Sequence, residues 1–136
     1  MITLDTSVLS LAFRRRSTAQ EPHSSVQSLK KLIVDDENLW IPGIVLQELL
    51  SGLRTDEQVA RLGTILSGFP VLLASREHHI DAVQIATARR RAGVTVTAVD
   101  CLIAAQTIAA GAELLTADRD FNHMTSHCGL RLYGPE

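Results

Sequence analysis

The chain has 136 residues, 46% hydrophobic but only 4% aromatic, and a formal net charge of −2. That length suits a single domain, 1–136, whose core of Leu, Ile, Val and Ala needs no disulfide or metal staple. The charge excludes a protein that grips nucleic acid through bulk positive potential.

Ile2-Thr3-Leu4 has strand character and stops at Asp5, where Thr6 and Ser7 are capping types ahead of Val8, Leu9 and Leu11. Arg14 to Ser25 is polar and aperiodic and reads as a loop, after which Val26, Leu29, Leu32 and Ile33 recur at helical spacing. Leu39-Trp40-Ile41 is a strand closed by Pro42-Gly43. The helix that follows carries Ile44, Val45, Leu46, Leu49 and Leu50, ends at Ser51-Gly52 and holds Glu48 within it. Thr55-Asp56-Glu57-Gln58 has capping-box form and leads into Val59, Leu62, Ile65 and Leu66, and Pro70-Val71-Leu72-Leu73 offers the next strand. Arg76 to Arg91 is an amphipathic helix that Gly93 stops before the β-rich Val94-Thr95-Val96-Thr97. Asp100 then opens a helix over Cys101 to Ala110, closed by Gly111. Glu113 to Thr116 is a strand running into Ala117-Asp118-Arg119-Asp120-Phe121, and Leu130 to Tyr133 supplies a last strand. This alternation predicts an α/β fold, a central, mostly parallel sheet flanked by helices on both faces. In such sheets the ligand crevice lies beyond the strand C-termini.

Asp5 and Asp118 follow apolar strands and Asp100 sits at a strand-to-helix junction, so all three point to one edge of the sheet. Glu48 lies among apolar neighbours, where a carboxylate is costly to bury unless a cation or donor meets it. Four acids at one end of a sheet repel one another, and a divalent cation relieves that repulsion. Hard oxygen ligands suit Mg²⁺, with Mn²⁺ as the alternative.

The stretches Leu4-Asp5-Thr6-Ser7-Val8-Leu9, Gln47 to Gly52, Asp100 to Ala105 and Leu115 to Phe121, in that order and over nearly the whole chain, resemble PIN-domain ribonucleases, in particular the VapC-like toxins of toxin–antitoxin pairs. The resemblance implies Asp5, Glu48, Asp100 and Asp118 as the acidic, metal-holding quartet, with Thr6 and Thr116 as hydroxyl neighbours and Asp5 and Asp100 as the firmest ligands. Asp120 is a rival or support for Asp118, and Arg119, Arg14 and Arg15 are candidate contacts to the RNA substrate. The implied chemistry is hydrolysis of an RNA phosphodiester by metal-activated water, leaving a 3′-hydroxyl and a 5′-phosphate. A cognate antitoxin and a homodimer are the implied protein partners.

Other readings compete. A receiver-like Mg²⁺-binding signalling module wants adjacent acids early and a lysine on a late strand, whereas this chain's two lysines are Lys30 and Lys31. A phosphatase with an Asp nucleophile wants an acid where Ser7 stands. A PIN fold that only binds partners, or a PIN nuclease in RNA processing, is a further reading. His123 and His127 have i, i+4 spacing but no third zinc ligand. His78 and His79 read as surface residues, and Arg14 to Arg16 and Arg89 to Arg91 as charge runs, usually solvated faces. Cys101, beside Leu102 and Ile103, reads as a buried free thiol. Cys101 and Cys128 match no metal spacing, which favours a reducing compartment. No basic leader precedes Asp5 and no uncharged run approaches the ~20 apolar residues of a membrane span. A cytoplasmic protein with no membrane association is therefore expected.

Overall fold

The computed structural model describes residues 1–14 and 22–134. Arg15, Arg16 and most of the expected loop after Arg14 lie outside the described residues, as does the side chain of Arg14. In chain order the elements are β1 (Ile2–Leu4), α1 (Thr6–Leu9) running on into a π-helical stretch (Ser10–Arg14), α2 (Ser24–Val34), β2 (Leu39–Pro42), α3 (Gly43–Ser51), α4 (Asp56–Leu66), β3 (Val71–Leu72), α5 (Arg76–Arg91), α6 (Ala98–Ala109), β4 (Glu113–Leu115), a 3₁₀ helix (Arg119–Met124) and α7 (Thr125–Cys128).

The four strands form one sheet in the order β3-β2-β1-β4, and every pairing is parallel. Thr3 stands opposite Trp40 on one side and Leu114 on the other. Ile2, Thr3 and Leu4 are all buried, which an alternating strand allows only when both faces of the sheet are covered. On one face the hydroxyl of Thr3 meets that of Thr107 on α6 at 2.7 Å, so this buried polar pair is satisfied. Burying each Leu or Ile of this core stabilises the fold by roughly 1.5–3 kcal/mol, and Leu4, Leu9, Ile41, Leu49 and Leu114 are all fully buried. The chain leaves β1 toward β2 and β3 and returns through α5 and α6 to β4 on the other side of β1. The order therefore switches between β1 and β4, where parallel sheets open a crevice.

Several local expectations change. Val94–Thr97 is not a strand: the Val94 N–H turns back to the carbonyl of Arg89 at 2.9 Å, closing α5, and the segment pairs with no strand among the described residues. Thr97 instead caps α6, its hydroxyl accepting from the Asp100 N–H at 3.1 Å, so Asp100 lies in the first helical turn and does not open the helix from a strand. Leu130–Tyr133 makes a single parallel bridge, Leu114 to Leu132, and not a ladder. At Thr55 the box is incomplete, because Gln58 Oε1 accepts from the Arg54 N–H and leaves that of Thr55. A full capping box occurs at Ser75 and His78. Gly93 and Gly111 take left-handed φ values of 82° and 65° just beyond α5 and α6, as their stop-signal reading requires. Among the described residues no helix is long and apolar enough to cross a membrane.

Candidate active site

Asp5 follows β1 directly and is itself the cap of α1; Thr6 and Ser7 lie inside the helix. Its Oδ1 accepts from the Ser7 hydroxyl at 2.7 Å and the Val8 N–H at 3.3 Å, and its Oδ2 accepts from the Thr116 hydroxyl at 2.7 Å. Ser7 is thus a member of the site that the sequence shows only as a capping type. Besides donating to Asp5, its oxygen accepts from the Ala117 N–H at 2.9 Å, stitching the end of β1 to the loop after β4. Thr116 does the same from the other strand, accepting from the Asp118 N–H at 2.9 Å.

Glu48 enters from α3, whose Val45 and Leu49 are buried against the core. That packing turns Glu48 toward α1, where the Thr6 hydroxyl donates to its Oε1 at 2.6 Å. Asp100 enters from the first turn of α6. Asp118 caps the 3₁₀ helix, its Oδ1 accepting from the Asp120 N–H at 2.9 Å. Four separate elements therefore deliver Asp5, Glu48, Asp100 and Asp118 to one cleft of ≈ 540 Å³, which Thr6, Ser7 and Arg119 also line. Asp120 is exposed and does not line the cleft; its backbone supports Asp118. Arg119 is exposed and also borders a second hollow that holds His23, Asn122 and Tyr133.

The electrostatics record the crowding. Burial raises the Asp5 carboxyl, against the pull of its Thr116, Ser7 and Val8 hydrogen bonds, and Asp118 adds a further upward push. Burial also raises Asp100 from an ordinary 3.8 to about 6; the Thr97 hydroxyl opposes it, and the charges of Asp118, Asp5 and Glu48 reinforce it. Every donor facing the cleft from these acids is a hard oxygen. Among the described residues no three His, Cys, Asp or Glu side chains converge closely enough to hold an ion directly. Mg²⁺ keeps several waters and is commonly held through one or two carboxylates, so this donor set fits it.

The remaining candidates fall elsewhere. His123 lies in the 3₁₀ helix and His127 in α7, both exposed, with no third ligand beside them among the described residues. His79 is exposed, while His78 is half-buried and caps α5. Cys101 is a buried free thiol and Cys128 a half-buried one. Arg90 and Arg91 are solvated, but Arg89 is buried, against the expectation for a charge run.

The PIN domain family model matches residues 2–126. Ribonuclease VapC11 of Mycobacterium tuberculosis is 32% identical over 126 residues, 90% of each chain. Among solved structures, VapBC2 from Rickettsia felis, bound to a DNA fragment of its promoter, matches over 100% of both chains with a TM-score of 0.74 and 24% identity. A toxin-antitoxin complex from Klebsiella pneumoniae matches over 89% of this chain and 90% of that one, with a TM-score of 0.67 and 21% identity. At those identities the two structures speak for the fold alone, a parallel α/β sheet like this one.

Proposed function

The chain belongs to the PIN-domain family, in its VapC ribonuclease branch, and from that premise we propose that Asp5, Glu48, Asp100 and Asp118 form the catalytic, cation-holding centre of an endoribonuclease. As a member of that branch it is a ribonuclease and the toxin of a toxin–antitoxin pair. The signalling-module reading does not survive the family match. The observation that carries the assignment of residues is their convergence, from four elements 113 positions apart in sequence at the extremes, on one cleft beyond the strand ends.

In this reading Asp5 and Asp100 are the principal ligands of Mg²⁺ or Mn²⁺, with Glu48 and Asp118 completing the acidic ring. When bound, the cation supplies Lewis acidity toward the scissile phosphate and lowers the pKa of an attacking water. Ser7, Thr116 and the Val8 N–H fix the Asp5 carboxylate in one orientation, which spares reorganisation during the reaction. Thr6 aims Glu48. Arg119, exposed at the lip, meets the phosphate backbone and leads the strand toward the hollow beside Tyr133, where an exposed base finds an aromatic face. The overall charge of −2 is compatible with this because the grip is local.

The same branch membership supports a cognate antitoxin that covers the cleft. A homodimer is supported by the exposed apolar side chains Ile80 and Val83 on α5, the latter lining an apolar hollow with Ile44 and Leu102. The test of the nuclease is incubation of purified protein with total RNA in Mg²⁺, in excess chelator, and as Asp100→Asn in Mg²⁺. Cutting in the first lane alone is expected; cutting that persists in chelator or in the variant would sink the assignment.

A further inference from the structure

The hollow beside Tyr133, a cavity of ≈ 380 Å³, shares a wall with the acidic cleft: Ala117, Asp118 and Arg119, which follow β4, line both. An RNA strand whose scissile phosphate faces the acids and whose backbone passes Arg119 therefore brings a neighbouring nucleotide to it. The volume is at the small end of ligand pockets and suits one nucleotide better than a longer segment.

Three side chains of different chemistry line this cavity, each anchored from outside it. The Tyr133 N–H donates to the Leu114 carbonyl at 2.8 Å, and its half-buried side chain packs against the core. Asn122 stands on the 3₁₀ helix between the buried Phe121 and Met124, which leaves it exposed. Its carbonyl accepts from the Thr125 hydroxyl at 2.9 Å, while its side-chain amide meets no partner among the described residues. At the start of α2, His23 Nδ1 accepts from the Ser25 N–H at 3.1 Å, which places the proton of the neutral ring on Nε2. That Nε2–H also meets no partner among the described residues. The cavity thus offers an aromatic side chain, an amide with donor and acceptor side by side, and a ring N–H. An unpaired base is recognised by those means, its face by stacking and its edge by donors and acceptors.

We propose that the cavity takes the unpaired base next to the scissile phosphate and makes cleavage selective for it, Tyr133 stacking on its face while Asn122 and His23 read its edge. The proposal rests on the nuclease reading of the acidic cleft. A base held in a duplex cannot enter, so the substrate is single-stranded at the cut. Asp118 joins the two sites, because its carboxylate caps the 3₁₀ helix that carries Asn122.

The test uses the full chain in Mg²⁺ and a short unstructured RNA spanning a cut mapped in total RNA. The bases on either side of the cut are replaced in turn by the other three and by an abasic ribose. At one of these positions the abasic ribose is expected to lower kcat/KM by roughly 5- to 150-fold, the scale of one base–aromatic stack. The four bases are expected to differ there. Tyr133→Leu, which keeps apolar packing, and the abasic ribose should together cost no more than either alone. Asn122→Ala and His23→Asn, the latter retaining a helix-capping acceptor, should each narrow the spread among the four bases. Asn122 is exposed, so its variant reads the proposal even where Tyr133→Leu does not fold. Abasic RNA cut as fast as intact RNA at both positions overturns the proposal and leaves the nuclease standing. An undiminished base preference in both Asn122→Ala and His23→Asn does the same, as do costs of Tyr133→Leu and the abasic ribose that multiply. Absence of Mg²⁺-dependent cleavage of any RNA removes the nuclease reading and this proposal with it.

Discussion

The two walls of the acidic cleft are built differently. On the sheet side, Asp5 is 3% exposed and has both oxygens engaged, by Ser7, Thr116 and the Val8 N–H, while Ser7 and Thr116 are themselves tied to the Ala117 and Asp118 N–H groups. On the helix side, Glu48 has one hydroxyl, that of Thr6, and Asp100 is half-buried under the repulsion of its three neighbours. One wall is preorganised by hydrogen bonds. The other has fewer donors to offset burial and the charges of its neighbours. Asp5 meets a cation already oriented by its donors, whereas Glu48 and Asp100, with fewer donors, gain more of their compensation from it.

The largest expected effect comes from neutralising either wall. Asp5→Asn and Asp100→Asn should each reduce RNA cleavage by about 10²–10³-fold or more, the scale of losing a main electrostatic contributor. Their stabilities should move in opposite directions. Asp5→Asn turns an amide donor toward hydroxyls that now donate, and should lower stability by about 1–3 kcal/mol. Asp100→Asn removes a crowded charge and should raise metal-free stability by about 1 kcal/mol, after discounting for solvent screening of this half-exposed group. Thermal melts of both variants in chelator test this contrast. Equal destabilisation would erase the distinction between the walls.

Next in size is pH. The folded Asp100 titrates near 6 against an ordinary 3.8, so the folded state holds more protons than the unfolded one between those values. Its contribution to stability is fully present below about pH 4 and is lost as pH rises through about 6. Burial raises Asp5 in the same direction. Added Mg²⁺ should therefore stabilise the protein more at pH 7.5 than at pH 5, as melting temperatures with and without the ion will read. Ser7→Ala is a smaller perturbation. It strips a donor from Asp5 and leaves the Ala117 N–H unmet, for a loss of about 1–2 kcal/mol, with reduced cleavage at unchanged KM. Thr6→Val, which frees only Glu48, should cost less than Ser7→Ala in both stability and rate.

Much of this site is legible before folding because the acids are local signals: Asp5 and Asp118 follow apolar runs, and Glu48 interrupts an apolar helix face. Ser7 is not, since its second role depends on Ala117, 110 residues away, and nothing nearby distinguishes it from an ordinary helix-start residue. Val94–Thr97 shows the limit of β propensity, because branched side chains make a strand only where a neighbour pairs with it. Leu130–Tyr133 reaches a neighbour but for one bridge only. Arg89 carried a signal that its charge obscured. Ala82, Ile85 and Arg89 are spaced by three and four residues, one helical stripe, and all three are buried. Packing against α6 decides which of three consecutive arginines turns inward.

The chemistry of the RNA ends tests the central claim most directly. Fragments produced by the wild-type chain in Mg²⁺ should carry 5′-phosphate and 3′-hydroxyl termini, as attack by an activated water requires. Termini bearing a 2′,3′-cyclic phosphate would mean that the ribose hydroxyl is the nucleophile, and would contradict a water-activating centre built from Asp5, Glu48, Asp100 and Asp118.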